Sequence, residues 1–244
     1  MAMKSGNPAL KSTTFDNLAV SDNPMTLPGT INRTAMLLAI VLIGAVWVWR
    51  LYFATHQTEA VAPYLLVGAI GGFIMALVTM FKKTLSPYTA PAYALLEGFA
   101  IGGISALYEA RQPGIALQAV GLTFGVLACM LAAYRLQIIK VTERFKLGIV
   151  AATGGIALLY LVDLVLMFFG HPVPMIHEGG TAGILFSLFV VCIAALNLVL
   201  DFDFIEKGVA QRSPKYMEWY SAFGLVVTLV WLYLEIIRML GKRR

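Results

Sequence analysis

Of the chain's 13 acidic residues, five lie inside or at the end of long apolar runs: Glu97, Asp163, Asp201, Asp203 and Glu235. A carboxylate kept in hydrocarbon is costly, and one found there either glues helices together or carries a proton or a cation. Glu97 is followed by Gly98, Gly102 and Gly103, small residues that let another backbone approach closely. Asp163 sits among large aliphatics in Tyr160-Leu-Val-Asp-Leu-Val-Leu, with Tyr160 as the polar neighbour on its face, and reads as helix glue.

The densest cluster is Asp201-Phe-Asp-Phe-Ile-Glu206-Lys207. On a helix, residues two apart point about 200° away from each other, so Asp201 and Asp203 cannot face one partner. Asp201 shares a face with Asn197 and Ile205 and is the inward candidate; Asp203 shares one with Lys207 and can reach water. Glu235 precedes Arg238 by three residues, the spacing of a local helical ion pair. Facing the interior instead, it would meet Asp201. Two carboxylates in low dielectric share one proton, which makes such a pair a pH-dependent latch. Ionised, the pair would also attract a hard cation such as Ca²⁺, which wants oxygen ligands.

Other chemistries fit these residues poorly. The Gly-x-Gly-Asp signature of intramembrane aspartyl proteases is missing, and Gly102-Gly-Ile-Ser105 lacks the glycine that follows a rhomboid-like nucleophile. His177-Glu178 has no second zincin histidine after it. His56, His171 and His177 read as loop residues, with a pH-sensing role open to the last two. Cys129 and Cys192 lie inside apolar runs and read as small core hydrophobes. No enzyme and no bound cofactor is expected, with Ca²⁺ considered as a permeant ion.

The elements that must position these acids follow from composition. The 244 residues are 59% hydrophobic and 13% charged, with a mean hydropathy of +0.81. A soluble domain carries about 25% charged residues. Too little polar surface remains for water, so the chain is read as an integral membrane protein with the lipid bilayer as its first partner. The net charge of +5 forms no basic stripe interleaved with aromatics, and no nucleic-acid partner is expected.

Seven apolar stretches are long enough to cross a bilayer, which takes about 20 residues: 34–53, 61–81, 90–108, 113–135, 147–170, 182–204 and 220–240. Residues 1–33 form a polar tail, 34–241 one seven-helix membrane domain and 242–244 a basic end. Lys4, Lys11, Arg33, Lys82, Lys83, Arg135, Lys140, Arg144, Lys146, Lys207, Arg212 and Lys215 fall on the tail's side. Opposite them lie Arg50, Arg111, Arg238, Lys242, Arg243 and Arg244, so the excess puts the N-terminus in the cytoplasm. The last four run against that rule, which leaves two choices for the seventh segment: it crosses, or it dips in and returns.

The order of several short motifs resembles the Bax inhibitor family (transmembrane Bax-inhibitor-motif proteins), in its longer bacterial branch. They are Asn7-Pro-Ala-Leu, Met25-Thr-Leu-Pro-Gly-Thr-Ile-Asn-Arg-Thr34, Tyr93-Ala-Leu-Leu-Glu-Gly-Phe, Leu200-Asp-Phe-Asp-Phe-Ile-Glu206, Glu218-Trp-Tyr-Ser-Ala-Phe and Trp231-Leu-Tyr-Leu-Glu. The resemblance implies an all-α, polytopic seven-helix bundle with the last helix central, acting as a pH-sensitive calcium leak of the bacterial cytoplasmic (inner) membrane. It further implies a sensor of two aspartates, one ending helix six and one on helix seven, with basic latch partners ending helix two. Asp201 matches the first aspartate, and Lys82 and Lys83 stand where the family carries arginines. The second is Glu235 if Leu-Tyr-Leu-Glu is aligned, or Thr228 if one counts back from Ile237-Arg-Met-Leu-Gly241. Arg238, beside Glu235, is a further latch candidate. Asp201 and Glu235 are the expected transient Ca²⁺ ligands. The competing expectation is a non-conducting regulator that binds a membrane protein, such as a quality-control protease, through residues 1–33.

Overall fold

In hydrocarbon the backbone has no water to bond, so each spanning segment must close its hydrogen bonds within itself, as a helix. The computed structural model describes residues 22–171, 173–177 and 180–242, and its long elements are all helical. In chain order these are α1 (Leu27–Thr55), α2 (Thr58–Phe81), α3 (Ser86–Arg111), α4 (Ile115–Arg135), α5 (Glu143–Phe168), the four-residue α6 (Pro174–His177), α7 (Thr181–Ala210) and α8 (Met217–Gly241). A 3-10 turn, Lys83–Leu85, precedes α3. All but α6 are long and apolar enough to cross a membrane. The chain is an all-α polytopic membrane protein.

The helices outrun the apolar stretches that announced them. α1 starts at Leu27, seven residues before its apolar run, because Thr26 accepts a hydrogen bond from Gly29 N–H and Pro28 lies in the first turn. A proline there gives up an N–H that has no helical partner anyway. Arg33 therefore belongs to a helix and stacks 4.7 Å over the Trp219 ring. α5 begins the same way, with Thr142 accepting from Phe145 N–H. Between α3 and α4 the chain turns at Gly114, whose φ of 88° suits a residue without Cβ. The Glu109 carboxylate accepts from Gly114 N–H at 2.6 Å and Ala116 N–H at 3.0 Å, donors the first turn of α4 leaves open.

By its internal contacts the chain divides into two compact units. Of the described residues, one takes in 22–116 with Phe204–Val227, the other Leu117–Asp203 with 228–242. In the unit of α1–α3, helices touch through glycine. A Cβ on Gly98 would strike the Val41 carbonyl oxygen and one on Gly102 the Ala45 carbonyl oxygen, both backbone of α1. A Cβ on Gly68 of α2 would lie 2.6 Å from Leu96 O of α3. The first half of α8 completes this unit, with Phe223 edge-on to Tyr93 at 5.0 Å. In the other unit Ile156, Val190 and Ile193 form a buried core, with Tyr160, Phe186 and Trp231 packed on it.

α8 is one unbroken helix whose apolar stretch is 72% buried, the most enclosed of the seven. Its 25 residues span about 37 Å at 1.5 Å each, enough for a hydrocarbon core of about 30 Å. Of the two sequence alternatives, it has the form of a crossing helix. By contrast, Cys129 and Cys192 are exposed, on outward-facing surfaces and not in the core as read from the sequence. An apolar run in a membrane protein has two apolar destinations, protein and lipid, and composition does not distinguish them.

Gly98→Ala and Gly102→Ala should each cost about 1–3 kcal/mol, the usual penalty for overpacking. Gly121→Ala and Gly125→Ala, which meet open space, should be neutral or better. Thermal unfolding of the four variants in one detergent checks the contrast.

Candidate functional site

The acids of the second unit are arranged by three helices whose register can be read from polar contacts. Asn197 of α7 donates to Thr153 Oγ1 of α5 at 2.9 Å, and Lys146 of α5 lies 3.3 Å from Asp203. α5 and α7 therefore run antiparallel, and Asp201 is level with residues near 149 of α5. Tyr160 of α5 meets Glu235 and Arg238 of α8, while Lys242 meets Gly183 and Ser187 of α7. Carrying these offsets along, Thr228 comes within about one turn of the level of Asp201, whereas Glu235 stands two to three turns, roughly 10–16 Å, further along. All three are enclosed: Asp201 is 0%, Glu235 1% and Thr228 2% exposed. Thr228 and Glu235, seven residues apart, share one face of α8.

Glu235 is held in a three-residue cluster. Tyr160 OH donates to its Oε1 at 2.9 Å, Arg238 Nη1 donates to the same oxygen at 3.2 Å and to Tyr160 Oη at 2.9 Å. The guanidinium also sits 5.2 Å over the Tyr160 ring. The local ion pair expected from the i, i+3 spacing is thus present, and Tyr160 is the addition that spacing could not supply. At the other level, Asn197 shares the face of Asp201 and is itself pinned by Thr153 and by Ile193 O. Asp203 faces Lys146, which is 4% exposed although its charge would favour water.

Asp163 is met by groups that its own sequence neighbourhood does not supply. It is buried, yet its partners come from the α5–α7 connection, not from a helix face. Val173 N–H donates to Oδ1 at 2.8 Å, and His177 Nε2 lies 2.7 Å from Oδ2. His177, read as a solvated loop residue, keeps its side chain 39% exposed and is in hydrogen-bond contact with a membrane acid. Further along, the Lys242 ammonium reaches Met175 O, Gly183 O and Ser187 Oγ at 3.0–3.3 Å. Burial, with the nearby Arg238 charge, holds its pKa below the usual lysine range. This cation bonds backbone carbonyls at the far end of α8, which accounts for one of the basic residues that broke the charge rule; Arg243 and Arg244 lie outside the described residues.

The remaining candidates belong to the first unit. Glu97 places its carboxylate against Gly72 of α2, where a Cβ would lie 2.9 Å from Oε2. Lys82 is exposed at the end of α2, and Lys83 Nζ sits 5.9 Å over the Tyr220 ring. Sequence reasoning passed over Glu218, which is 1% exposed and accepts from Thr26 N–H and Oγ1, both at 2.9 Å, and from Lys215 at 2.8 Å. The Thr26 that caps α1 is thereby tied to the start of α8. Among the described residues no group of three or more His, Cys, Asp or Glu side chains could hold a metal ion. Any cation met by these acids would be bound by one or two at a time.

The Tyr160–Glu235–Arg238 cluster makes an ordered prediction. Arg238→Gln strands an enclosed carboxylate and should cost about 1–3 kcal/mol, less than the 3–5 of a fully buried pair because the guanidinium is a third exposed. Glu235→Gln should cost less, since Arg238 can turn to water. Tyr160→Phe should cost about 1 kcal/mol for the lost hydrogen bonds. Unfolding of the single variants and the Glu235/Arg238 double-mutant cycle gives the order.

The all-helical membrane fold agrees with one comparison. Residues 7–244 match the family described as Bax inhibitor 1 like. No curated protein and no solved structure matches the chain. A match over nearly the whole length, on a chain with seven candidate membrane spans, means that this protein belongs to the Bax inhibitor 1-like family.

Proposed function

We propose that the protein is a pH-sensitive leak for cations, Ca²⁺ foremost, in the bacterial cytoplasmic membrane, with its N-terminus inside. The observation that carries the reading is Asp201: a carboxyl with no exposed surface, on a membrane-crossing helix, within about a turn of Thr228 on the most enclosed helix. Protonated, that carboxyl is neutral and offers a cation little. Ionised, it draws the cation in, and the Thr228 hydroxyl can add an oxygen ligand. Flux should therefore rise as pH rises. Glu235 lies on the same face of α8 as Thr228 and makes a second acidic station along that helix, weakened by its bonds to Arg238 and Tyr160.

Few oxygen ligands mean weak binding, which a leak needs if the ion is to leave again. Membership of the family and the excess of Lys and Arg on the tail's side support the function and the orientation respectively. In this reading Lys82 and Lys83 act as basic latch partners from the end of α2, as point charges without arginine's paired donors.

The test is calcium influx into dye-loaded liposomes between pH 6 and pH 8. Wild-type flux should climb across this range, and Asp201→Asn should abolish the climb. Thr228→Asp should move the onset of flux to higher pH, by about one unit, because two carboxylates at one level resist ionising together. Glu235→Gln should change the rate more than the pH response. Flux no greater than in empty liposomes would end the leak reading in favour of a regulator acting on a membrane-protein partner through residues 1–33.

A further inference from the structure

The α5–α7 connection is fastened at two separate points. Asp163, 5% exposed inside α5, holds Val173 N–H and His177; Lys242, at the end of α8, holds Met175 O. The short α6 carries both fastenings, through Met175 and His177, with Val173 just ahead of it. Only one of them can change charge near neutral pH: the imidazole, whose ordinary titration falls between about pH 5 and 8. Its side chain is 39% exposed, so protons reach it from water, while its partner is enclosed.

We propose that residues 173–177 form a pH-sensitive strap, closed when imidazolium at His177 pairs with Asp163 and loosened when that proton is lost. The charged groups around the pair come from two helices. From α5, Asp163 favours the imidazolium at 2.7 Å. At the end of α8, Arg238 acts by its charge on the same Asp163 carboxylate, and Lys242, bonded to Met175 O, is a further cation that Glu235 partly offsets. The direct pair governs, because attraction falls with separation and the two atoms are in hydrogen-bond contact. The sign follows: closure is strongest at the acidic end and declines as pH rises through the imidazole range. A neutral imidazole can still donate one hydrogen bond, so the strap loosens by degrees and stays tethered through Lys242. This device is independent of conduction and holds or fails by itself.

The measurement is amide hydrogen exchange of the full chain in lipid nanodiscs at pH 5.5 and pH 8, after correction for intrinsic exchange. Wild-type protection at residues 173–177 should fall about fivefold on going to pH 8, as the charge on the imidazole is lost. His177→Gln should be poorly protected at both values. His177→Lys, charged throughout, should stay protected at both, which also shows that the substituted chain folds. Wild-type protection that does not change with pH would overturn the proposal. So would a fall of equal size in wild type and His177→Lys.

Discussion

Water is missing from the bilayer core, and each unusual feature of this molecule answers to that. Backbone groups close on themselves as seven long helices. Acids cannot close on themselves, so each must be met by a group brought from elsewhere in the chain. Glu235 is met by Arg238 and Tyr160, Asp203 by Lys146, and Asp163 by His177 and a backbone N–H. These contacts determine how α5, α7 and α8 are registered, since a one-turn slip would strand at least one carboxylate in hydrocarbon.

Register in turn sorts the acids by role. Asp163 and Glu235 are occupied at one end of the helices, tied to the connection and to arginine. Asp201, two to three turns away, shares its level with a hydroxyl on α8, not with a second carboxylate. The chain thus carries charge at both ends of α8 and keeps the stretch between mostly apolar.

The helices of the other unit are joined by a different means. Lipid gives helices no hydrophobic reason to associate, so close backbone contact has to supply the attraction. Gly44, Gly68, Gly98 and Gly102 permit it. Glu218 then ties the cap of α1 to the start of α8 through Thr26. Cap, glycine seam and buried acid together leave these helices little freedom to slide.

Much of this was legible in the order of residues. Composition determined the membrane class, and runs of about 20 apolar residues determined seven helices, because a bilayer imposes one length on every crossing. The i, i+3 spacing determined the Glu235–Arg238 pair, since neighbours on one helix are set by helical geometry alone. Helix ends were less legible: a hydropathy run stops at the first polar residue, whereas α1 and α7 continue through Arg33 and Lys207. Partners distant in sequence were not legible at all. Only tertiary structure brought His177 to Asp163, Tyr160 to Glu235 and Lys242 to Ser187, and only it put Thr228, not Glu235, near the level of Asp201. Period and composition describe one helix at a time; the offset between two helices is chosen by the contacts they make when packed.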